Sequence, residues 1–236
     1  MFLSRRITQE EYFDTERPVA EVAEFFQSLG RINRFFDFAH PFRNLLPTLL
    51  GEADCQSLSI LDIGAGDGLL GRTIGDWAAN RGWNWRVVNL DTSLAALALN
   101  GNGLNVAASA MQLPFGSASF DVVVTSNMVH HLKDAEATRL LQEAWRVARR
   151  AIVLSDMHRN LGLYLALMLL LCFQDHPTSF KSDALISVKR GWRKADFTRL
   201  AEQAGIGSAK VELYFGARLI LQASKGTVNG SPKEHF

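Results

Sequence analysis

The sequence has few cysteines and little net charge, so it indicates neither a disulfide framework nor a strongly charged partner. Its 236 residues include only two cysteines, Cys55 and Cys172, which lie far apart and belong to no metal-binding or redox motif. This usage fits a reduced, cytoplasmic setting in which both are buried apolar residues. The net charge is only +1 and the isoelectric point is about 7.9. Neither nucleic acid nor an anionic membrane is therefore indicated, and we expect a small-molecule substrate.

A long hydrophobic run is also missing. The apolar stretch Leu161–Phe173 is too short to cross a bilayer, which takes about twenty apolar residues. It predicts a buried helix, and the alternative is a surface that meets lipid or a lipid-like substrate. No apolar segment follows the arginines within residues 1–6, so no secretory signal is visible. We expect a cytoplasmic protein without a transmembrane segment.

Glycine is concentrated in one functional pattern. Residues 59–68 read Ser-Ile-Leu-Asp-Ile-Gly-Ala-Gly-Asp-Gly, an apolar strand that breaks into alternating glycines just before a helical run. Glycine is needed where the backbone takes positive φ and approaches a ligand. The spacing differs from the dinucleotide-binding pattern, because Leu69 stands where a third glycine would fall. Asp62 and Asp67 would repel a pyrophosphate but suit the ammonium group of an amino-acid moiety.

Further strands are predicted at four apolar segments, residues 85–91, 105–110, 121–127 and 150–158. With helical patterns between them, these segments predict a doubly wound α/β fold whose ligands bind beyond the carboxyl ends of the strands. Residues 210–223 read as a hairpin that turns at Gly216.

The strand at residues 85–91 ends in an acid, Asp91. An acid about twenty residues past the glycines accepts hydrogen bonds from ribose hydroxyls in nucleotide-binding α/β folds. The alternative is that Asp91 caps the next helix, a role equally open to Thr92 or Ser93.

These motifs together resemble the class I S-adenosylmethionine-dependent methyltransferases, over about residues 58–224. Residues 113–115 and 120–121 read Leu-Pro-Phe and Phe-Asp, as in that family, although the family's adenine-binding aspartate falls on Ser109. The resemblance implies S-adenosylmethionine as cofactor and a mostly parallel seven-stranded sheet with helices on both faces and a C-terminal antiparallel hairpin. The implied cofactor-binding residues are Asp62, Gly64, Ala65, Gly66, Gly68, Asp91, Thr92, Ser109, Ala110, Met111 and Ser126.

Residues 1–57 are predicted to form a helical cap before the methyltransferase domain at 58–224. The cap carries an aromatic cluster that either packs it onto the domain or roofs a pocket for an apolar or aromatic substrate: Phe35, Phe36, Phe38 and Phe42. Within the domain, residues 159–192 are predicted to be an insertion that covers the substrate, with its polar part, 176–192, as a loop. Residues 225–236 are expected to be a disordered tail.

The carboxyl ends of the fourth and fifth predicted strands supply the candidate catalytic residues. His130 and His131 follow one strand, and Asp156 and His158 end the other, so we expect all four at one crevice. Histidine can take a phenolic proton, and an adjacent aspartate can fix its tautomer. His131 is the first choice for this base and His158 the second. Two histidines and a carboxylate could also ligate a metal, but we expect none.

The leading hypothesis is therefore an S-adenosylmethionine-dependent methyltransferase of an apolar small molecule of phenolic or polyketide- or quinone-like type, with oxygen favoured over carbon as the acceptor. Such a transfer depends mostly on holding nucleophile and methyl group in line. The alternatives are a non-catalytic protein that binds the cofactor and a nicotinamide-dependent oxidoreductase, which the glycine spacing disfavours.

Overall fold

The computed structural model describes residues 3–101 and 103–226, and one sheet organises this part of the chain. Its strands are β1 (Ser57–Ile63), β2 (Asn84–Asp91), β3 (Leu104–Ala107), β4 (Phe120–Ser126), β5 (Ala148–Met157), β6 (Lys210–Tyr214) and β7 (Arg218–Ser224). The order across the sheet is β3-β2-β1-β4-β5-β7-β6. All neighbours pair in parallel except β7, which is antiparallel to both β5 and β6. The predicted fold class, including the C-terminal hairpin, is confirmed.

Eight α-helices lie in the described residues. They are α1 (Val19–Phe35), α2 (His40–Leu50), α3 (Leu69–Ala79), α4 (Leu94–Ala98), α5 (Asp134–Val147), α6 (Leu161–Phe173), α7 (Thr178–Arg190) and α8 (Lys194–Gln203). Short 3-10 helices occur at Tyr12–Asp14, Glu52–Cys55 and Val129–His131. The strand order reverses between β1 and β4, which creates a crevice at their carboxyl ends.

The central strands are apolar throughout because both faces of the sheet are covered. Val123 points to a core formed with α5 and α8, whereas Val122 and Val124 point to a core formed with α2 and α3. Each of the three valines is fully buried. The alternation of side chains along a strand therefore divides one apolar run between two cores.

A third apolar cluster joins the N-terminal helix to the segment after β5. Ile32 of α1 packs with Leu167 and Leu171 of α6 and with Phe180 and Val188 of α7. The N-terminal helical segment thus lies against the predicted substrate-covering insertion. These two parts of the chain form one layer over the carboxyl end of the sheet.

Two expectations about this layer are wrong. Residues 176–192 are not a loop, since α7 runs through them with Asp183, Ser187 and Arg190 buried. Their polarity reflects pairing with the N-terminal segment, because the carboxylate of Asp183 accepts hydrogen bonds from the backbone N–H groups of Tyr12 and Phe13. Buried polar groups of this kind read as loop in a sequence but are fully compatible with a packed helix.

Helix α6 is also far from buried. Among its residues only Leu167 and Leu171 are buried, whereas Leu169 and Phe173 are 60% and 83% exposed. Cys172, expected to be buried, is likewise exposed. None of the helices in residues 3–101 and 103–226 has the length and apolar character needed to span a bilayer.

Part of the predicted C-terminal tail can be placed. The backbone N–H of Lys225 donates to the carbonyl of Arg150 at 2.7 Å, which continues the pairing of β7 with β5. Residues 227–236 of that tail lie outside the described part of the chain.

Candidate active site

The glycine-rich turn follows β1 at the crevice. Gly64 and Gly66 have φ of +70° and +55°, in the left-handed region that favours glycine. A Cβ on Gly64 would lie 2.3 Å from the side chain of Met128, and one on Gly66 would lie 2.4 Å from the ring of Phe26. The turn is pinned to β2, because the N–H groups of Gly64 and Ala65 both donate to the carbonyl of Leu90. The turn ends at Gly68, which precedes α3.

Asp62 is the buried acid at the end of β1. Its side chain is almost inaccessible, and Oδ2 has no hydrogen-bond partner among the residues that the structure describes. Burial, reinforced by the negative charges of Asp91 and Asp67, raises the pKa of Asp62 well above its usual value. A buried carboxylate without a partner is costly unless a cation joins it. The position fits the ammonium group of a methionine moiety.

Asp91, at the end of β2, ties the turn to the second strand. Oδ2 accepts from the N–H of Gly66 at 2.8 Å, and Oδ1 accepts from the N–H of Ser93 at 2.9 Å. The helix cap itself is Ser93, whose hydroxyl accepts from the N–H of Ala96, while Thr92 is exposed. A carboxylate has acceptor sites beyond these two bonds, so Asp91 can also accept from ribose hydroxyls.

The predicted adenine-binding residues follow β3 directly. Ser109 is exposed and its hydroxyl accepts from the N–H of Met111, while Ala110 is buried. The carbonyl of Met111 accepts from Arg139. These contacts form a tight local turn, and the adenine role of residues 109–111 stays a prediction.

A partly buried arginine that the sequence analysis missed holds the end of β4. Arg218 Nη2 donates to Ser126 Oγ at 3.0 Å and to Asn127 Oδ1 at 2.9 Å, and its Nε donates to Ser155 Oγ at 2.7 Å. Burial lowers the pKa of Arg218 to about 10, although the charge of Asp156 opposes this shift. The sequence signal was a charged residue at the first position of the mostly apolar strand β7.

His130 and Asp156 are brought together as predicted, inside the protein. Nδ1 of His130 lies 2.6 Å from Oδ1 of Asp156, and the backbone N–H of His130 donates to Oδ2. Burial favours the neutral carboxyl, but the charge and hydrogen bond of His130 outweigh it and lower the pKa of Asp156. On the other side of the ring, Nε2 of His130 lies 3.8 Å from Oε1 of Glu11. Glu11 was not anticipated from the sequence.

The other two candidate histidines have different partners, although the ring of His131 lies beside that of His130, with the ring centroids 4.2 Å apart. Nδ1 of His131 lies 2.6 Å from Oδ1 of Asp14, which also pairs with Arg190. Nδ1 of His158 lies 3.0 Å from the side-chain nitrogen of Asn160. Neither histidine lines the cavity described next, within the part of the chain that the structure describes. Their role as catalytic base stays a prediction.

Glu11, His130 and His131 could together hold a metal ion, because one ligand atom from each lies within 4.8 Å of the others. However, Arg190 Nη1 already lies 3.6 Å from Oε1 of Glu11. A guanidinium thus supplies positive charge where a metal ion would. We assign no metal here, and the expectation of none stays a prediction.

A cavity of about 380 Å³ opens between the layer that contains α1, α6 and α7, here called the N-terminal layer, and the carboxyl ends of β4 and β5. Leu29 and Ile32 of α1, Leu163 and Leu167 of α6, and Phe180 of α7 make much of its wall apolar. Glu11, Asn33, Asn127, Ser187 and Arg218 are among its polar lining residues.

The aromatic cluster of the cap divides between two roles. Phe35 and Phe36 line the cavity, and both are exposed. Phe38 and Phe42 are instead buried in the core beneath α2. The packing interpretation holds for Phe38 and Phe42, and the role of Phe35 and Phe36 as the roof of a substrate pocket stays a prediction.

Two pairs of consecutive residues link the cavity to the glycine-rich turn. Asn127 lines the cavity while the next residue, Met128, packs on Gly64. Phe25 lines the cavity while the next residue, Phe26, packs on Gly66. Residues next to each other in the chain thus contact the two places, although none of the described residues of the turn itself lines the cavity.

Comparison with known proteins agrees with this geometry. Residues 61–153 match the family model described as a methyltransferase domain. No curated protein is similar enough in sequence to match the chain.

Three solved structures illustrate the likeness in fold. Magnesium protoporphyrin IX methyltransferase from Synechocystis PCC 6803 with bound S-adenosylhomocysteine is 18% identical, with a TM-score of 0.53 over 79% of this chain and 83% of that one. The plantazolicin methyltransferase BamL, in complex with a triazolic desmethyl-plantazolicin analogue and S-adenosylhomocysteine, is 12% identical, with a TM-score of 0.61 over 88% and 95%. A Nostoc punctiforme PCC 73102 protein provisionally described as an O-methyltransferase is 18% identical, with a TM-score of 0.54 over 80% of this chain. The present chain spans only 56% of that protein.

The sheet order, the glycine-rich turn and the orphaned acid at the end of β1 define a class I nucleotide-binding methyltransferase fold. The family match identifies residues 61–153 as a methyltransferase domain. Its cofactor is S-adenosylmethionine, and Asp62, Asp91 and the turn fit that molecule.

Proposed function

We propose that the protein transfers a methyl group from S-adenosylmethionine to the hydroxyl oxygen of an apolar, phenolic small molecule. The observation that supports this proposal is the link between the apolar cavity and the cofactor turn through the consecutive residues Phe25–Phe26 and Asn127–Met128. A methyl group presented above the turn would meet an acceptor held in the cavity.

The composition of the cavity supports a largely apolar acceptor with one polar group. Its apolar wall comes from α1, α6 and α7, and burying an acceptor there is worth about 25 cal/mol for each Å² of apolar surface. Asn127 and Arg218, at the ends of β4 and β7, give the same cavity a polar end. Such a pocket would orient a hydroxyl group toward the sheet and the remaining apolar part toward α6.

The cofactor supplies an electrophilic methyl group on a sulfonium. The protein's own contribution is then to align the acceptor oxygen with that methyl group and to exclude water. Asp62 would hold the cofactor's ammonium group, and Asp91 its ribose. Phe26 and Met128 would hold the turn in the conformation that binds the ammonium group and the ribose.

The first experiment separates binding from transfer. Calorimetric titration should show that S-adenosylmethionine and S-adenosylhomocysteine bind and that NADH does not. The Asp91→Ala variant should bind both sulfur compounds more weakly by about 1.5–3 kcal/mol, the scale for hydrogen bonds to a charged group. Tight NADH binding would instead favour an oxidoreductase.

The second experiment identifies the acceptor atom. Radiolabelled methyl from S-adenosylmethionine should enter one or more members of a panel of 4-alkylphenols, and ether cleavage should release the label. Label that resists ether cleavage would show C-methylation. Cofactor binding with no transfer to any phenol would refute the proposed function and favour a non-catalytic binding protein.

A further inference from the structure

We infer that Glu11, rather than a histidine, takes the proton from the acceptor hydroxyl during methyl transfer. This assignment rests on the proposed function and adds a catalytic residue to it. Among the buried cluster Glu11, His130 and Asp156, only Glu11 lines the cavity. Glu11 lies on the N-terminal segment, outside the part of the chain that resembles the methyltransferase domain.

The surroundings of Glu11 suit a base. Its side chain is only 4% exposed. Burial raises the pKa of Glu11 to about 7, with the charge of His131 opposing the shift. A carboxylate with a pKa near the working pH is both ionised for much of the time and basic enough to take a proton.

The charged and titratable groups facing Glu11 come from three directions. Asp14 lies on its own segment, His130 and His131 come from the short helix after β4, and α7 contributes Asp183 and Arg190. Ser187 of α7 adds a hydroxyl that donates to Glu11 Oε1 at 2.8 Å. These contacts fix the carboxylate in one orientation at the cavity wall.

His130 and Asp156 act as positioning residues behind it. Because Nδ1 of His130 is held by Asp156 at 2.6 Å, Nε2 is directed to the side of Glu11. The ring of His130, fixed in this way, lies beside the carboxylate of Glu11 and limits where that carboxylate can move. The buried pair, which the sequence analysis selected as catalytic, would thus serve Glu11.

The step balances as follows. The hydroxyl oxygen forms a bond to the methyl carbon as the bond between that carbon and the sulfonium sulfur breaks, and the sulfur keeps the electron pair. The hydroxyl proton moves to the carboxylate of Glu11. One positive charge on sulfur and one negative charge on the carboxylate are therefore both lost, and the methyl ether leaves neutral.

The test compares two phenols of different acidity. 4-Propylphenol must lose its proton during the reaction, whereas pentafluorophenol is already ionised near neutral pH. Glu11→Gln should lower kcat/KM for 4-propylphenol by roughly 10²- to 10⁴-fold and change the value for pentafluorophenol far less. The exposed neighbour provides a matched control, because Glu10→Gln removes the same charge and should leave both rates unchanged.

Two measurements on the unmodified protein protect the test against a variant that fails to fold. The kcat/KM for 4-propylphenol should rise with pH through about 7, and that for pentafluorophenol should not. Without cofactor, ¹³C NMR of carboxyl-labelled glutamate should show one buried carboxyl that titrates over the same range.

The outcomes separate the two proposals. Suppose that the unmodified protein methylates phenols. If Glu11→Gln is then as active as wild type, or loses activity toward both phenols equally, Glu11 is not the base, although the proposed function stands. A pH-independent rate for 4-propylphenol would overturn the assignment in the same way. If no phenol is methylated at all, the proposed function fails and the role of Glu11 fails with it.

Discussion

Replacing Asp62 by asparagine should change stability and cofactor affinity in opposite directions. Asp62 is 1% exposed, and its Oδ2 lacks a partner in the described part of the chain. Asparagine keeps the shape of the side chain and removes its charge. We therefore expect the cofactor-free variant to be more stable than wild type at pH 8, by about 1–3 kcal/mol, the usual cost of one buried unsatisfied group.

The pH dependence gives this prediction a signature. Because the folded-state pKa of Asp62 is raised above its unfolded value, the folded protein binds more protons than the unfolded chain in the interval between those two values. Wild-type stability relative to the variant should therefore fall as pH rises through that interval. A residue that acts only by packing would show no such dependence.

The affinity of the same variant for S-adenosylmethionine should decrease. With the cofactor bound, the ammonium group would face the carboxylate, and losing a hydrogen bond between charged groups costs about 1.5–3 kcal/mol. This corresponds to a roughly 10- to 150-fold weaker Kd for S-adenosylmethionine. Cofactor binding to wild type should also release protons, since the ammonium favours the ionised carboxylate.

The assays are urea unfolding at pH 5 and pH 8 and calorimetric titration in two buffers of different ionisation enthalpy. Asp76→Asn, an exposed acid on α3, is the matched control and should alter neither quantity. A variant that loses both stability and affinity would show that Asp62 has a structural role in the turn. Unchanged affinity would remove Asp62 from the ammonium site.

Two further changes test the turn and the core. Gly66→Ala should sharply weaken S-adenosylmethionine binding and lower Tm, because the new Cβ would meet Phe26 at a residue with φ of +55°. The control Gly75→Ala, in open space on α3, should retain the affinity and raise the free energy of unfolding by up to about 1 kcal/mol. Equal affinities in the two variants would show that the turn tolerates a side chain. Glu143→Gln should cost about 1–3 kcal/mol at pH 7, since the hydrogen bond from Arg146 lowers the pKa of Glu143 to about 2. Its folded-state pKa is depressed, so the wild-type advantage in urea unfolding should be lost as pH falls from 4.5 toward 2, and a constant advantage would contradict this.

The sheet and the cofactor turn could be predicted from the sequence because their signals are local. An apolar run such as β4 is long enough to identify a strand buried on both faces. The order of the glycines and the acid Asp62 before them describe one short segment whose backbone geometry depends on its own residues. The pairing of His130 with Asp156 followed from the parallel strands alone, since neighbouring carboxyl ends meet at one edge.

The acceptor side could not be predicted in this way. Residues 176–192 read as a polar loop because the partners that satisfy Asp183 lie some 170 residues earlier in the chain. The same distance hid Glu11, an isolated acid in a polar segment whose burial depends on α7. Arg218 gave only a weak signal, since its role depends on the antiparallel register of β7 against β5.

The sequence by itself thus determined the fold class and the cofactor, through patterns written within single strands and one turn. Tertiary structure alone decided that the N-terminal layer forms the wall of the cavity and which ionisable groups face it. The physical reason is that burial and pairing of a charged side chain are properties of contacts between distant segments. The periodicity of apolar residues predicts only the face of a helix or strand on which a residue lies. It therefore does not predict those contacts.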